Sequence, residues 1–131
     1  MSQIHVVDTE YAPRAVGPYS QAIIHHGLIY ASGQIGLDPA TGKLVGGDVL
    51  SQASQVMSNL GAVLNEAGAS LSDILKVNIF LTDMNDFSII NKVYAGWLAG
   101  HRPARATIAV AALPLGARVE MDLVARVAGS M

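Results

Sequence analysis

The chain has 131 residues, 51% of them apolar and only 14% charged, with a net charge of −2 and no cysteine. The length fits one domain, residues 1–131, large enough to bury roughly two-thirds of its unfolded surface. Without cysteine there are no disulfides, thiol catalysis or thiolate metal sites, and an isoelectric point near 6.0 with scattered Lys43, Lys76, Lys92 and five arginines argues against a nucleic-acid footprint.

The opening Met1-Ser2-Gln3-Ile4-His5 has no apolar stretch of the signal-peptide kind, and no segment approaches transmembrane length. The expectation is a soluble cytoplasmic protein. So few charges on so apolar a chain predict that some surface is hidden by association, as a homo-oligomer.

The segment Ala12 to Ala22 holds Pro13, Gly17 and Pro18, which set a non-repetitive backbone and present Tyr19 and Ser20 just ahead of a strand. Tyr19 either meets a ligand or caps the core. Ala22-Ile23-Ile24-His25 and Leu28-Ile29-Tyr30-Ala31-Ser32 read as strands joined by a tight His26-Gly27 turn. The second strand runs on through Ser32-Gly33-Gln34-Ile35-Gly36. A glycine there signals either a bulge or a ligand that bonds to the main chain of Gly33. Leu37 to Gly47 is a loop with Asp38-Pro39-Ala40-Thr41-Gly42 turn chemistry.

Asp48 is the expected N-cap of a helix whose apolar positions recur from Val49 to Ala67 and which Gly68 ends. Ile74 to Thr82 is a strand with Val77, Ile79 and Leu81 on one face. Asp83 or Asp86 caps a second helix, with Phe87, Ile90, Val93, Tyr94, Trp97 and Leu98 as its core-facing stripe and Asn91 at the stripe's edge. Ala106 to Ala111 and Val119 to Val127 are the last strands. The order β-β-α-β-α-β-β predicts an α+β fold, one mixed sheet with both helices on a single face, its other face covered by further subunits.

Two charges stand out in these strands. Arg105 precedes one apolar run, and Glu120 lies inside another, sharing a face with Asp122, Val124 and Arg126 while Met121, Leu123 and Ala125 face away. A guanidinium fork suits a carboxylate, and a strand-borne carboxylate suits a water or a proton. If their strands pair, both serve one pocket. The plainer reading is a rim ion pair for Arg105 and a weak pairing of Glu120 with Arg126 or Arg118. His5, His25, His26 and His101 show no metal-ligand spacing.

Taken together, Ala12-Pro13, Gly17-Pro18-Tyr19-Ser20-Gln21-Ala22, Ser32-Gly33-Gln34-Ile35 and Asp38-Pro39-Ala40-Thr41-Gly42 resemble the reactive intermediate deaminase A (RidA/YjgF) family, also labelled L-PSP endoribonucleases. Asn85-Asp86-Phe87, Asn91, Tyr94, Pro103-Ala104-Arg105-Ala106-Thr107 and Val119-Glu120-Met121-Asp122 extend the resemblance from about residue 12 to 127. It implies a chorismate-mutase-like fold, a homotrimer with clefts between subunits, and hydrolysis of 2-imino acids (tautomers of enamines such as 2-aminoacrylate) to 2-keto acids and ammonia. No metal or cofactor is implied. Arg105 resembles the family's carboxylate-gripping arginine and Glu120 its water-positioning glutamate. Tyr19, Gly33 and Asn91 resemble its pocket residues, and Thr107 stands where many members carry Cys or Ser. Ala106 replaces a common Ser, and Ala99-Gly100-His101-Arg102 is shorter than in many members, which bears on substrate preference. The competing readings are a carboxylate-binding regulatory trimer without turnover and a translation-inhibiting ribonuclease.

Overall fold

The structure is a computed structural model that describes residues 3–129. Six strands, β1 (His5–Val7), β2 (Ala22–His25), β3 (Leu28–Gln34), β4 (Ile74–Leu81), β5 (Ala104–Ala109) and β6 (Val119–Arg126), form one sheet. Its order is β1-β2-β3-β6-β4-β5. Every pairing is antiparallel except β4 with β5, which the helix between them makes parallel. The two helices are α1 (Val49–Glu66) and α2 (Phe87–Leu98).

Local chemistry explains the boundaries. His26 at φ 51° and Gly27 at φ 76° both take left-handed backbone, so the hairpin closes in two residues and sets His25 opposite Leu28. Asp48 caps α1 by accepting from Ser51 N at 2.9 Å. At the other end Gly68, at φ 84°, lets Ala69 N reach Leu64 O at 2.8 Å and its own N reach Asn65 O at 3.2 Å, a Schellman closure. Asp83, not Asp86, gives an N-terminal side-chain cap, to Asn85 N at 2.9 Å, but on a short 3-10 turn before α2. Asp86 instead receives Arg118 Nη2 on both its oxygens, at 3.0 and 2.9 Å.

Both helices pack on one face of the sheet, as expected. Val56, Met57, Leu60, Val63 and Leu64 of α1 and Ile90, Tyr94 and Leu98 of α2 join Val77, Ile79, Leu81, Met121, Leu123 and Ala125 in one core. The opposite face carries Tyr30, Asn78, Phe80, Glu120, Asp122 and Val124, all partly exposed or exposed, because strand residues alternate between faces.

Four expectations need correction. β1 went unrecognised: it is an edge strand of three residues, too short to show a period. The fifth strand starts at Ala104, two residues early, so Arg105 lies within it; its small apolar residues carry no alternation to mark the start. Trp97 does not face the core but is 40% exposed, its Nε1 donating to Ser54 Oγ at 3.3 Å; the turn-by-turn positions Ile90, Tyr94 and Leu98 fill the core and leave Trp97 at the rim. Finally, β5 and β6 do not pair, because β4 lies between them. The connection from β4 through α2 returns β5 to the outer edge of β4.

Candidate functional site

The register places Arg105 and Glu120 on opposite faces of the sheet. Arg105 stands beside Val77, whose side chain is buried under the helices. Glu120 stands beside Phe80, on the open face. Residues paired across a ladder point the same way, so within one protomer the two charges line separate clefts.

On the helix side, the Arg105 guanidinium lies over two rings of α2, 5.3 Å from the Tyr94 centroid and 5.6 Å from that of Phe87. Its Nη1 donates to Asn91 Oδ1 at 2.7 Å. The sequence places Asn91 one helical turn ahead of Tyr94, so hydrogen bond and ring both come from the same face of α2. Two hydroxyls flank this arrangement, Tyr94 Oη and Thr107 Oγ1, both buried without a hydrogen-bond partner among the described residues; buried polar atoms are ordinarily satisfied. Burial also pushes the Tyr94 phenol above its usual range, against the opposing pull of Arg105. Arg105 has no carboxylate partner among the described residues, so no rim ion pair is formed there. The surrounding cleft, about 480 Å³, also includes His101, Arg102 and Pro103.

On the open side, Glu120 rests against Gly33 of β3. A Cβ built at Gly33 meets Glu120 Oε2 in overlap and Glu120 Cδ at 2.9 Å. The ladder between β3 and β6 also shifts register between Ala31 and Gln34. A register shift of the bulge kind is therefore present at this glycine, and the group lying against it is the Glu120 carboxylate. Glu120 pairs with neither candidate arginine. Arg118 is held by Asp86, and Arg126 Nε donates to Asp73 Oδ1 at 3.1 Å. Burial raises the proton affinity of Glu120 above the ordinary carboxylate range, and the nearby Asp122 charge adds to it. Asp122 is fixed by Asn78 Nδ2, which donates to its Oδ1 at 2.9 Å.

Tyr19 lines the same 420 Å³ cleft as Gly33 and Glu120. It is 53% exposed and does not cap the core; its hydroxyl accepts weakly from Val16 N at 3.4 Å. The loop that presents it is anchored by Gln21, which is buried. Gln21 Oε1 accepts from Thr9 N at 2.7 Å, and its Nε2 donates to Thr9 O at 3.0 Å and Pro13 O at 2.9 Å. The candidate residues thus fall into two groups, Asn91, Arg105 and Thr107 on one face and Tyr19, Gly33 and Glu120 on the other. Arg14 beside Tyr19, and Arg102 beside Arg105, were not singled out from the sequence. Their only signal was a cation within a few residues of a candidate.

A six-stranded mixed sheet in this order, backed on one face by two helices, defines a chorismate-mutase-like α+β protein. The family model described as Endoribonuclease L-PSP matches residues 9–127, and the chain belongs to that family, which is also the reactive intermediate deaminase A family. A mouse protein named 2-iminobutanoate/2-iminopropanoate deaminase is 48% identical over 120 residues, covering 92% of this chain and 89% of the relative. The crystal structure of YyfA from Yersinia pestis, a protein of the conserved Rid family, superposes with a TM-score of 0.94 at 47% identity, covering 95% of this chain and 100% of that one. Escherichia coli TdcF, crystallised with bound serine, reaches 0.89 at 37% identity over 93% of this chain and 98% of its own. No helix among the described residues is long and apolar enough to cross a membrane.

Proposed function

We propose that this protein hydrolyses 2-imino acids such as 2-iminopropanoate and 2-iminobutanoate to 2-keto acids and ammonia, in clefts completed between two copies of the chain. The observation that carries the second part is the placement of Arg105 and Glu120 on opposite sheet faces. A single protomer cannot present both to one small molecule, whereas an adjoining copy can bring its open face, with Glu120, Gly33 and Tyr19, against the Arg105 cleft. β5 supports this. It is an edge strand with no partner on its outer side among the described residues, and Ile108 on it is 51% exposed; such edges are ordinarily covered. A closed ring of three is the assembly we assign.

The chemistry needs little from the protein. Arg105 holds the substrate carboxylate through its two-pronged fork, pre-aimed by Asn91 and the Tyr94 ring, with Thr107 supplying a hydroxyl beside it. The iminium carbon, C2, is already electrophilic. Water held by Glu120 adds to C2 as the C=N electrons move to nitrogen, and Glu120 takes the proton that the water loses. It then returns that proton to nitrogen. The C–N bond breaks with its electron pair going to nitrogen, the hydroxyl oxygen forms the C=O bond, and its proton passes through Glu120 to the departing ammonia, which leaves as ammonium. The sum is R–C(=NH₂⁺)–COO⁻ plus H₂O giving R–CO–COO⁻ plus NH₄⁺. A carboxylate whose proton affinity is raised by burial serves such a two-way transfer better than an ordinary one, since the useful pKa lies near working pH.

The test generates either imine in situ with a dehydratase and follows its disappearance. Wild type accelerates the loss. Arg105→Ala loses most of that acceleration, as expected when charge-assisted hydrogen bonds worth about 1.5–3 kcal/mol each are removed. No acceleration by wild type, or an undiminished rate in Arg105→Ala, refutes the proposal. Small-carboxylate binding without turnover would instead mark a regulatory protein. RNA cleavage draws no support from the surface charge, since two of the five arginines are held by Asp86 and Asp73.

A further inference from the structure

We infer that the Arg105 cleft accepts dicarboxylic 2-imino acids, with Arg102 holding the second carboxylate. The inference rests on the imine-hydrolase reading above and specifies its substrate class.

Within one protomer the cleft is lined by two guanidinium-bearing residues, Arg102 and Arg105, and by no Asp or Glu among the described residues. One substrate carboxylate occupies one guanidinium fork, and Arg105 is already aimed for that by Asn91 and the α2 rings. Arg102 is surplus to a monocarboxylate. Arg118 and Arg126 show how this chain treats a cation with a structural task, giving each a buried aspartate. Arg102 has no hydrogen-bond or ion-pair partner among the described residues.

Its position is nevertheless fixed. Ala99 at φ 49° and Gly100 at φ 96° turn the chain sharply out of α2. His101 N then donates to Leu98 O at 3.0 Å. His101 Nε2 lies 2.7 Å from Ile74 O; a carbonyl only accepts, so that nitrogen carries the hydrogen. Pro103 locks the next φ and restricts Arg102 to extended backbone. Arg102 and Arg105 are three residues apart, at most about 11 Å of extended chain. Two flexible arginine side chains on such a span can converge on the two ends of a four- or five-carbon diacid. The short stretch before Pro103, noted in the sequence as a departure from many relatives, thus puts a cation on the cleft wall. Such substrates arise by two-electron oxidation of acidic amino acids, and the reaction is unchanged: one water is consumed, ammonium leaves, and a dicarboxylic 2-keto acid remains.

The experiment compares kcat/KM for 2-iminosuccinate, generated from aspartate by an aspartate oxidase, with that for 2-iminopropanoate, generated from serine by a dehydratase. The expected result is a diacid-to-monoacid ratio that falls about tenfold in Arg102→Gln, chiefly through KM, as for loss of one charged hydrogen-bonding group. Arg102→Lys restores part of the ratio because it keeps the charge without the fork. A ratio in Arg102→Gln within about twofold of wild type overturns the inference. Acceleration of the monocarboxylic imine alone also overturns it while leaving the imine-hydrolase reading intact. Acceleration of neither imine overturns both.

Discussion

Gly33→Ala separates the position of the Glu120 carboxylate from the stability of the fold. Gly33 is not among the residues in left-handed backbone, so alanine suits its φ. The new Cβ would overlap Glu120 Oε2 and stand 2.9 Å from Cδ and 3.3 Å from Cγ. Favourable non-bonded contact between heavy atoms lies at about 3.5–4.0 Å, so the carboxylate has to retreat by about 0.5–1 Å. What moves is the end of a flexible side chain, so the fold gives way cheaply. Alanine in a strand also recovers roughly 0.5–1 kcal/mol of the backbone entropy that glycine forfeits. The chemistry is less tolerant, since a misplacement near 1 Å costs on the order of 100-fold. The expected outcome is kcat for 2-iminopropanoate reduced by about 10- to 100-fold with Tm within about 4 °C of wild type. Rates measured beside thermal melts followed by circular dichroism give both. In a Glu120→Ala background the same glycine change should cost little more, because the group it displaces is gone. Full kcat in Gly33→Ala, or equal losses with and without Glu120, would refute the cradle argument.

Asn91→Ala removes the acceptor at 2.7 Å from Arg105 Nη1 and leaves the ring stack; KM for the imine should rise by about three- to tenfold, the worth of one hydrogen bond to a charged group held in a partly solvated site. Asp122→Asn removes the second cause of the raised Glu120 proton affinity but not the first, burial. The proposed mechanism uses ionised Glu120, so activity should fall as pH drops through its pKa. The acidic limb of the kcat/KM profile should start above the usual carboxylate range in wild type and move to lower pH in Asp122→Asn; an unmoved limb would show that the limb belongs to another group. Gln52 is almost wholly buried, its Nε2 donating to Gly46 O at 2.7 Å and its Oε1 accepting from Arg118 N at 2.8 Å. Gln52→Ala strands both partners and should cost about 2–4 kcal/mol in chemical denaturation.

Much of the frame was legible because it obeys short-range rules. Asp48 and Gly68 bracket α1 through cap chemistry that acts within one turn, and His26-Gly27 closes a hairpin through two positive φ angles. The alternation along β6 correctly sent Met121, Leu123 and Ala125 inward and left Glu120 and Asp122 on the other face. The candidate residues were legible too, but only as a set of motifs, since each alone also fitted a turn, a bulge or a rim charge. Trp97 shows the limit of periodicity, because its stripe is wider than the face that α2 buries and only packing chooses the rim.

What the sequence determined by itself is therefore five of the six strands, both helices and the inward face of β6. Which faces Arg105 and Glu120 occupy was decided by the tertiary structure. Strand order depends on how the β4-α2-β5 crossover returns and where β6 inserts, which no local period encodes. Placing β6 between β3 and β4 put Glu120 against Gly33 and two strands away from Arg105. The two charges then point to opposite sides, because residues in register across a ladder share a face.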